Sequence, residues 1–243
     1  MQILIVGSSR GKCLEKLTDR NTRVIYKAGG KISDLATIAT EALDNRPADF
    51  VYFVAGLPDV SSKISKSFRL TSGKHKYQEF VFTEDPQHAE DRVTSIIREA
   101  ESKIKENHSI PVFSTITPFH IGHWNHHRLQ NHFTSHLLHY NNYQDQQDRL
   151  HTAINAININ IRNINRDNLV ITPKPSQFIA YQRHGHWRYR YGKLSDGTHT
   201  NIKIQKKWLQ HYRETIQKNS NNLATRPIGT SPHEVVFEYD LDL

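Results

Sequence analysis

The sequence predicts a three-layer α/β/α domain with a five-stranded parallel sheet in its middle layer. Three observations favour this fold: short apolar runs, amphipathic segments between them, and polar turns directly after the runs. Short apolar runs bounded by turns are typical of strands that are buried on both faces. Amphipathic segments of helical period supply the crossover connections that parallel strands need.

Each element follows from its own pattern. The predicted strands are residues 2–6, 23–26, 50–54, 111–116 and 168–172. Apolar residues at helical spacing predict helices that include residues 32–43, 93–104, 150–164 and 202–216, of which the third is rich in Asn. In such sheets the polar residues that follow the strands meet at one edge, where ligands bind.

Two regions depart from the alternating pattern. Residues 61–86 form a basic excursion, which we interpret as a hairpin with strands near 67–70 and 77–82 around Ser72-Gly73. We place the domain at residues 1–217 and a linker and tail at 218–243, because Pro and Gly interrupt a polar stretch there. The tail ends in alternating apolar and acidic residues, a pattern that fits an added edge strand or a peptide that docks on a partner.

Composition narrows the class of protein. The chain has 243 residues, a formal net charge of +8 and one cysteine, Cys13. A single cysteine excludes an intramolecular disulfide, and the apolar start is too short for a signal peptide or a membrane span. We therefore expect an intracellular protein of the cytoplasm or nucleus. The basic balance fits nucleic acid or another anionic partner, and it also fits a solvated cationic surface.

Two motifs at opposite ends of the chain suggest hydrolytic chemistry. Gly7-Ser8-Ser9 follows the first strand in a tight turn, and Asp196-Gly197-Thr198-His199 precedes the last helix. A serine supplied by one motif and an acid–base pair supplied by the other would assemble a Ser-His-Asp site. Taken alone, Ser9 also fits a helix cap, and its turn also fits a phosphate-binding loop.

The order of these motifs resembles the SGNH (GDSL-type) hydrolase superfamily over roughly residues 1–217. The resemblance implies a flavodoxin-like winding, a small ester or acyl substrate and no cofactor or metal. It implies Ser9 as the nucleophile, His199 as the base and Asp196 as the residue that holds the imidazole. It also implies that the backbone amides of Ser9 and Gly30 form the oxyanion hole.

The segment Gly56-Leu57-Pro58-Asp59 matches the ends of the family's Gly-x-Asn-Asp motif and departs in its middle. Pro58 stands where the family has an asparagine that donates to the oxyanion, and Ser8 stands where the family has an aspartate. Loss of one such donor typically lowers the rate by about 10²–10³-fold. Ser114, Thr117 and His120 are candidates for a replacement donor.

A second hypothesis is a nucleic-acid-binding module on the same scaffold with a degenerate site. The superfamily also occurs in retrotransposon-encoded proteins, and interleaved cations and aromatic rings suit RNA or DNA. The candidate residues for this binding are Lys63, Lys66, Lys74, Lys76, Arg183, Trp187, Arg188 and Arg190. The alternative for the last four is a hairpin that packs on its own domain.

Seven histidines lie between His120 and His139, and some are four positions apart. Pairs at this spacing share a helix face and can chelate zinc. An apolar stripe through the same segment favours a plain helix with a polar face, and we predict no metal there.

Overall fold

The computed structural model describes residues 1–70, 73–130, 143–183, 186–195 and 198–225. Side chains of residues 66–77, 128–130 and 182–187 are not among those described. The strands are β1 Ile3–Gly7, β2 Thr22–Tyr26, β3 Phe50–Val54, β4 Ser62–Leu70, β5 Gly73–Val81, β6 Ile110–Phe113, β7 Ala180–Arg183 and β8 His186–Tyr189. The α-helices are α1 Ile32–Asn45, α2 Leu57–Val60, α3 Pro86–Glu106, α4 Ile121–Gln130, α5 Tyr143–Asp167 and α6 Ile202–Ala224.

The predicted α/β fold with a parallel sheet between helices is confirmed. Strands β2, β1, β3 and β6 lie side by side in that order, and each neighbouring pair is parallel. Alternate residues of a strand point to opposite faces, so β1 sends Leu4 and Val6 to one core and Ile3 and Ile5 to the other. The first core packs on α1, α3 and α5, whereas the second packs on α6 and a 3₁₀ helix, Ser9–Leu17.

The main sheet has four strands, and the predicted fifth strand at residues 168–172 is wrong. Its first residues form the C-terminal turn of α5. The N–H of Asn168 donates to Ile164 O, and that of Val170 donates to Asn165 O. Leu169 has φ of 56°, a left-handed conformation typical of a helix end and not of a strand. The apolar run that predicted a strand therefore belongs to a helix terminus.

Asparagine side chains take the place of the missing strand partner. Asn165 accepts from the N–H of Phe113 at 2.9 Å and donates to its carbonyl at 2.7 Å. Asn158 makes the same pair of bonds to Ile116. An edge strand must have its buried polar groups satisfied. Asn165 does this at the end of β6, and Asn158 does it three residues further along the chain. The Asn-rich composition of α5 thus has a structural reason.

The predicted hairpin is present and is longer than expected. Strand β4 pairs antiparallel with β5 from Ser62 opposite Val81 to Leu70 opposite Gly73, while residues 71–72 lie outside the described part. The hairpin packs on α4 through Phe80, whose ring centroid lies 4.0 Å from that of Trp124. Asn125 binds the N–H and the carbonyl of Phe80.

Helix α6 continues to Ala224, beyond the boundary placed at residue 217. Residues 226–243 lie outside the described part of the structure, so both interpretations of the tail remain predictions. None of the described helices is long and apolar enough to cross a membrane.

Candidate active site

The turn after β1 presents Ser9 at the carboxyl edge of the sheet. Ser8 is buried, and its N–H donates to Val54 O of the neighbouring strand at 3.1 Å. A Cβ on Gly7 would lie 3.1 Å from the Cα of Gly11, so the close return of the chain favours glycine. Ser9 begins the 3₁₀ helix that follows.

The loop between β8 and α6 brings His199 to the same place. Leu194 and Thr200 form an isolated antiparallel bridge, which closes the loop. Within it, the N–H of Ser195 donates to His199 O at 2.6 Å, and that of Asn201 donates to Lys193 O at 2.9 Å. Leu194 is buried and anchors the loop on the core near Trp208.

Ser9 and His199 make direct contact although 190 positions separate them. The distance from His199 Nε2 to Ser9 Oγ is 3.2 Å, within the range expected of a nucleophile and its base. The other ring nitrogen, Nδ1, lies 3.1 Å from Thr198 Oγ1. Thr198 was not predicted to take part, and its side chain is buried. Asp196 lies outside the described residues, so its role stays a prediction.

The backbone amide of Gly30 is already engaged. Its N–H donates to Lys27 O at 2.9 Å, closing the turn between β2 and α1. A Cβ on Gly30 would lie 3.0 Å from that same carbonyl oxygen. In this arrangement the Gly30 N–H is bonded within its own turn. The oxyanion role predicted for it therefore stays a prediction and requires this turn bond to open.

The segment that begins at Gly56 has a structural function. Gly56 has φ of 106°, and a Cβ there would lie 2.6 Å from Ile116 Cδ1, so only glycine fits. Pro58 lies in α2 and has no N–H to donate. The buried carboxylate of Asp59 accepts from the N–H of Ile32 at 3.2 Å through each oxygen, capping α1.

Burial raises the pKa of Asp59 from 3.8 to about 6. A raised folded-state pKa stabilises the fold below the unfolded-state pKa near 4, and this contribution is lost as pH rises through about 6. Asp59→Asn keeps an acceptor for Ile32 without the charge. We expect it to be more stable than wild type at pH 7, by about 1–3 kcal/mol, with the difference shrinking toward pH 4. Thermal unfolding across this pH range measures it.

Asp34, in the first turn of the helix that Asp59 caps, provides the matched control. It accepts from the N–H of Lys31 at 3.0 Å and pairs with Lys27 at 3.2 Å, and these bonds lower its pKa. Asp34→Asn should therefore lose stability relative to wild type above pH 4. An identical pH trend for both variants would contradict the assignment of a buried, proton-retaining carboxyl to Asp59.

A small cleft opens beside Ser9 at the ends of β1, β3 and β6. Its volume of about 20 Å³ has room for roughly one water molecule. The cleft is lined by Ser8, Arg10, Val54, Ala55, Leu57, Ser114, Thr115, Ile116, Thr117, Pro175 and Trp208. Arg10 donates to Thr117 O and ties the serine turn to the segment after β6.

The three candidate donors that could replace the family's oxyanion-hole asparagine differ in whether their polar atoms are already hydrogen-bonded. Ser114 Oγ accepts from the hydroxyl of Tyr212 at 2.7 Å, deep in the second core. His120 Nδ1 accepts from the N–H of His123 at 3.0 Å, which leaves Nε2 as the nitrogen of His120 that carries the proton. Thr117 is buried in the wall of the cleft.

The cations predicted to bind nucleic acid lie on the two hairpins. The ammonium of Lys63 lies 5.2 Å from the centroid of the Phe80 ring, and the guanidinium of Arg190 lies 5.1 Å from that of Tyr181. Both therefore pack on rings of their own chain. Arg188 is exposed. The side chains of Lys66, Lys74, Lys76, Arg183 and Trp187 lie outside the described part, and RNA or DNA binding gains no support here.

Helix α4 covers the first part of the histidine-rich segment, whereas residues 131–142 lie outside the description. Among the described residues, no three His, Cys, Asp or Glu side chains group as metal ligands would.

Comparison of the fold with solved structures finds similar proteins across nearly the whole chain. A Bacteroides fragilis protein assigned to the acylhydrolases has a TM-score of 0.55 at 13% identity, covering 91% of this chain and 87% of its own. A GDSL-like lipase from Bacteroides thetaiotaomicron has a TM-score of 0.55 at 11% identity, and the match covers 89% of this chain and 88% of the lipase. The fold is that of the SGNH hydrolases.

An acetyl xylan esterase is similar at a TM-score of 0.50 and 14% identity, covering 89% of this chain and all of its own. At such low identity the likeness establishes the fold alone. The sequence matches no protein-family model and no curated protein. The link to retrotransposon-encoded proteins finds no support among these neighbours.

Proposed function

We propose that this protein is a serine hydrolase that cleaves small carboxylic esters. The observation that carries the proposal is the 3.2 Å contact between Ser9 Oγ and His199 Nε2. Its position at the carboxyl edge of a parallel sheet supports it, because ligands of such sheets bind there. Esterases and acylhydrolases among the solved structures of similar fold support it as well.

The first chemical step would be attack of Ser9 Oγ on the ester carbonyl carbon. His199 Nε2 accepts the hydroxyl proton as the new C–O bond forms and later gives that proton to the leaving alcohol. Water then attacks the acyl-serine while His199 Nε2 takes its proton, and that proton passes to Ser9 Oγ as the acyl–Oγ bond breaks and the acid is released. Acylation and deacylation each begin with Nε2 unprotonated and Nδ1 carrying its hydrogen.

Thr198 and Asp196 have different parts in the proposal. Thr198 Oγ1 lies 3.1 Å from Nδ1 and is proposed to help orient the imidazole. Asp196 is proposed to hold the imidazole tautomer that leaves Nε2 free and to stabilise the imidazolium that forms. The oxyanion would be held by the Ser9 amide, with Gly30 contributing once its turn bond to Lys27 opens.

Labelling by a fluorophosphonate tests the proposed nucleophile directly. We expect one equivalent of a short-chain fluorophosphonate to attach to Ser9, because only a serine activated by a neighbouring base reacts readily with such probes. Intact-mass measurement and peptide mapping locate the adduct. Prior denaturation should abolish labelling. Failure of the native protein to react, or an adduct on Ser8, would contradict the proposal.

A further inference from the structure

Tyr191 lies at the start of the loop that carries His199 and is attached to the body of the domain there. Its hydroxyl hydrogen-bonds with His151 Nε2 on α5. The two rings are stacked at 15° with centroids 5.8 Å apart, and the ring of His120 meets Tyr191 edge-on at 4.9 Å. The phenol is therefore bound at its hydroxyl and packed on two sides.

The direction of these hydrogen bonds can be assigned through Gln147. Its Oε1 accepts from the N–H of Ile121 at 2.9 Å, and its Nε2 donates to Phe119 O at 2.8 Å, which fixes the orientation of the amide. The same Nε2 lies 2.8 Å from His151 Nε2. The same nitrogen also donates to the hydroxyl oxygen of Tyr191 at 3.3 Å. Because an amide nitrogen only donates, an N–H on His151 Nε2 would face another N–H, so His151 Nε2 is the acceptor. Its lone pair takes the hydroxyl hydrogen of Tyr191, whose oxygen accepts from Gln147.

Burial favours the protonated Tyr191 hydroxyl and the unprotonated His151 Nε2 that these hydrogen bonds require. It lowers the pKa of His151 from 6.5 to about 4 and raises that of Tyr191. Both groups are therefore neutral at pH 7, so the bond joins an uncharged donor to an uncharged acceptor. Such a pair fixes geometry without the cost of burying a charge.

A short backbone segment, held by hydrogen bonds, links Tyr191 to the loop that carries His199. The N–H of Leu194 donates to Tyr191 O at 2.8 Å, and Leu194 bridges to Thr200 next to His199. On the other side of Tyr191, the N–H of Arg190 donates to Ile179 O at 2.7 Å. A shift of Tyr191 therefore moves the end of the loop that holds the imidazole.

We propose that Tyr191, held by His151, is a positioning residue that keeps the His199 imidazole against Ser9. The inference rests on the proposed hydrolase function and extends it to two residues that the sequence motifs do not contain. Neither residue reaches the reacting atoms. Their effect comes from keeping Nε2 and Oγ at reacting distance, since small misplacements of reacting groups lower rates by up to about 10²-fold.

The test compares Tyr191→Phe with Tyr189→Phe. Tyr189 lies in the same segment, its ring is also close to His151, and its hydroxyl donates to Asn155 at 3.2 Å. We expect Tyr191→Phe to lower kcat for a p-nitrophenyl ester by about 10–100-fold with KM within about twofold, and to slow fluorophosphonate labelling equally. Tyr189→Phe should stay within about twofold of wild type on every measure.

Variants of His151 separate positioning from a loss of folding. His151→Gln keeps an acceptor for the Tyr191 hydroxyl and should retain most of the rate, whereas His151→Leu should match Tyr191→Phe. The double variant of Tyr191→Phe with His151→Leu should be no slower than Tyr191→Phe alone, because that change already removes the bond to His151. Thermal unfolding of each variant confirms that the comparison is made on folded protein.

The outcomes distinguish the two proposals. If the wild type hydrolyses the ester through Ser9 while folded Tyr191→Phe and Tyr189→Phe have equal kcat, the positioning role is overturned and the hydrolase stands. If the Ser9→Ala variant is as active as the wild type, or the wild type neither hydrolyses nor reacts, the proposed function is overturned and the positioning role with it.

Discussion

Ser9→Ala is expected to lower kcat for a short-chain activated ester by roughly 10³–10⁶-fold, the range found when a catalytic serine is removed. The physical reason is that Oγ would form the acyl bond in the proposed mechanism, and it lies 3.2 Å from His199 Nε2. Steady-state hydrolysis of p-nitrophenyl acetate measures the change.

Ser8→Ala is the matched control, one position away in the same turn. Ser8 is buried, and its backbone N–H donates to Val54 O of the neighbouring strand. Its loss should change kcat by less than about tenfold, the effect of a small change beside the reacting groups. If Ser8→Ala is the inactive variant and Ser9→Ala is not, the register of the first motif is wrong by one residue.

The Ser9–His199 contact could be anticipated from the sequence because each partner lies in a short motif of recognisable order. Parallel strands end at one edge, so residues far apart in the chain meet there. The contacts around them could not be anticipated. Nothing in the sequence motif assigns a role to Thr198. His151 and Tyr191 are 40 positions apart, and no sequence pattern indicates that their side chains meet.

The oxyanion hole shows the limit of a resemblance. Gly30 was matched by position in the motif order, yet the direction of its N–H depends on the local turn, which places that hydrogen on Lys27 O. A sequence position specifies a residue type, whereas an oxyanion donor is defined by where its N–H points. Only the backbone geometry provides that second property.

The fold was predictable where the hydrophobic pattern alone determines the structure. The strands predicted near residues 2–6, 23–26, 50–54 and 111–116 each lie within a residue or so of an observed strand, except that β6 ends at Phe113. Strands β1 and β3 are buried throughout, whereas β2 is mostly half-buried. The strand predicted at residues 168–172 is wrong because a short apolar run after a helix end has the same composition as a buried strand. The decisive residue, Asn165, lies just before that run.

Asn165→Ala is expected to lower the free energy of unfolding by about 2–6 kcal/mol, because two backbone groups lose their partners and each unsatisfied buried group costs about 1–3 kcal/mol. Asn165 is fully buried, and it binds the N–H and carbonyl of Phe113 and the hydroxyl of Thr172, at 3.0 Å. Urea unfolding followed by circular dichroism measures the loss.

Asn163→Ala on the same helix is the control, since Asn163 is only half-buried and has no such role at the sheet edge. It should change the free energy of unfolding by less than about 0.5 kcal/mol, as surface substitutions usually do. Equal losses in the two variants would mean that α5 itself, through helix propensity, sets the stability. A loss confined to Asn165→Ala would support the interpretation that the Asn165 amide stabilises the end of β6 by satisfying the backbone of Phe113, where a fifth strand would otherwise pair.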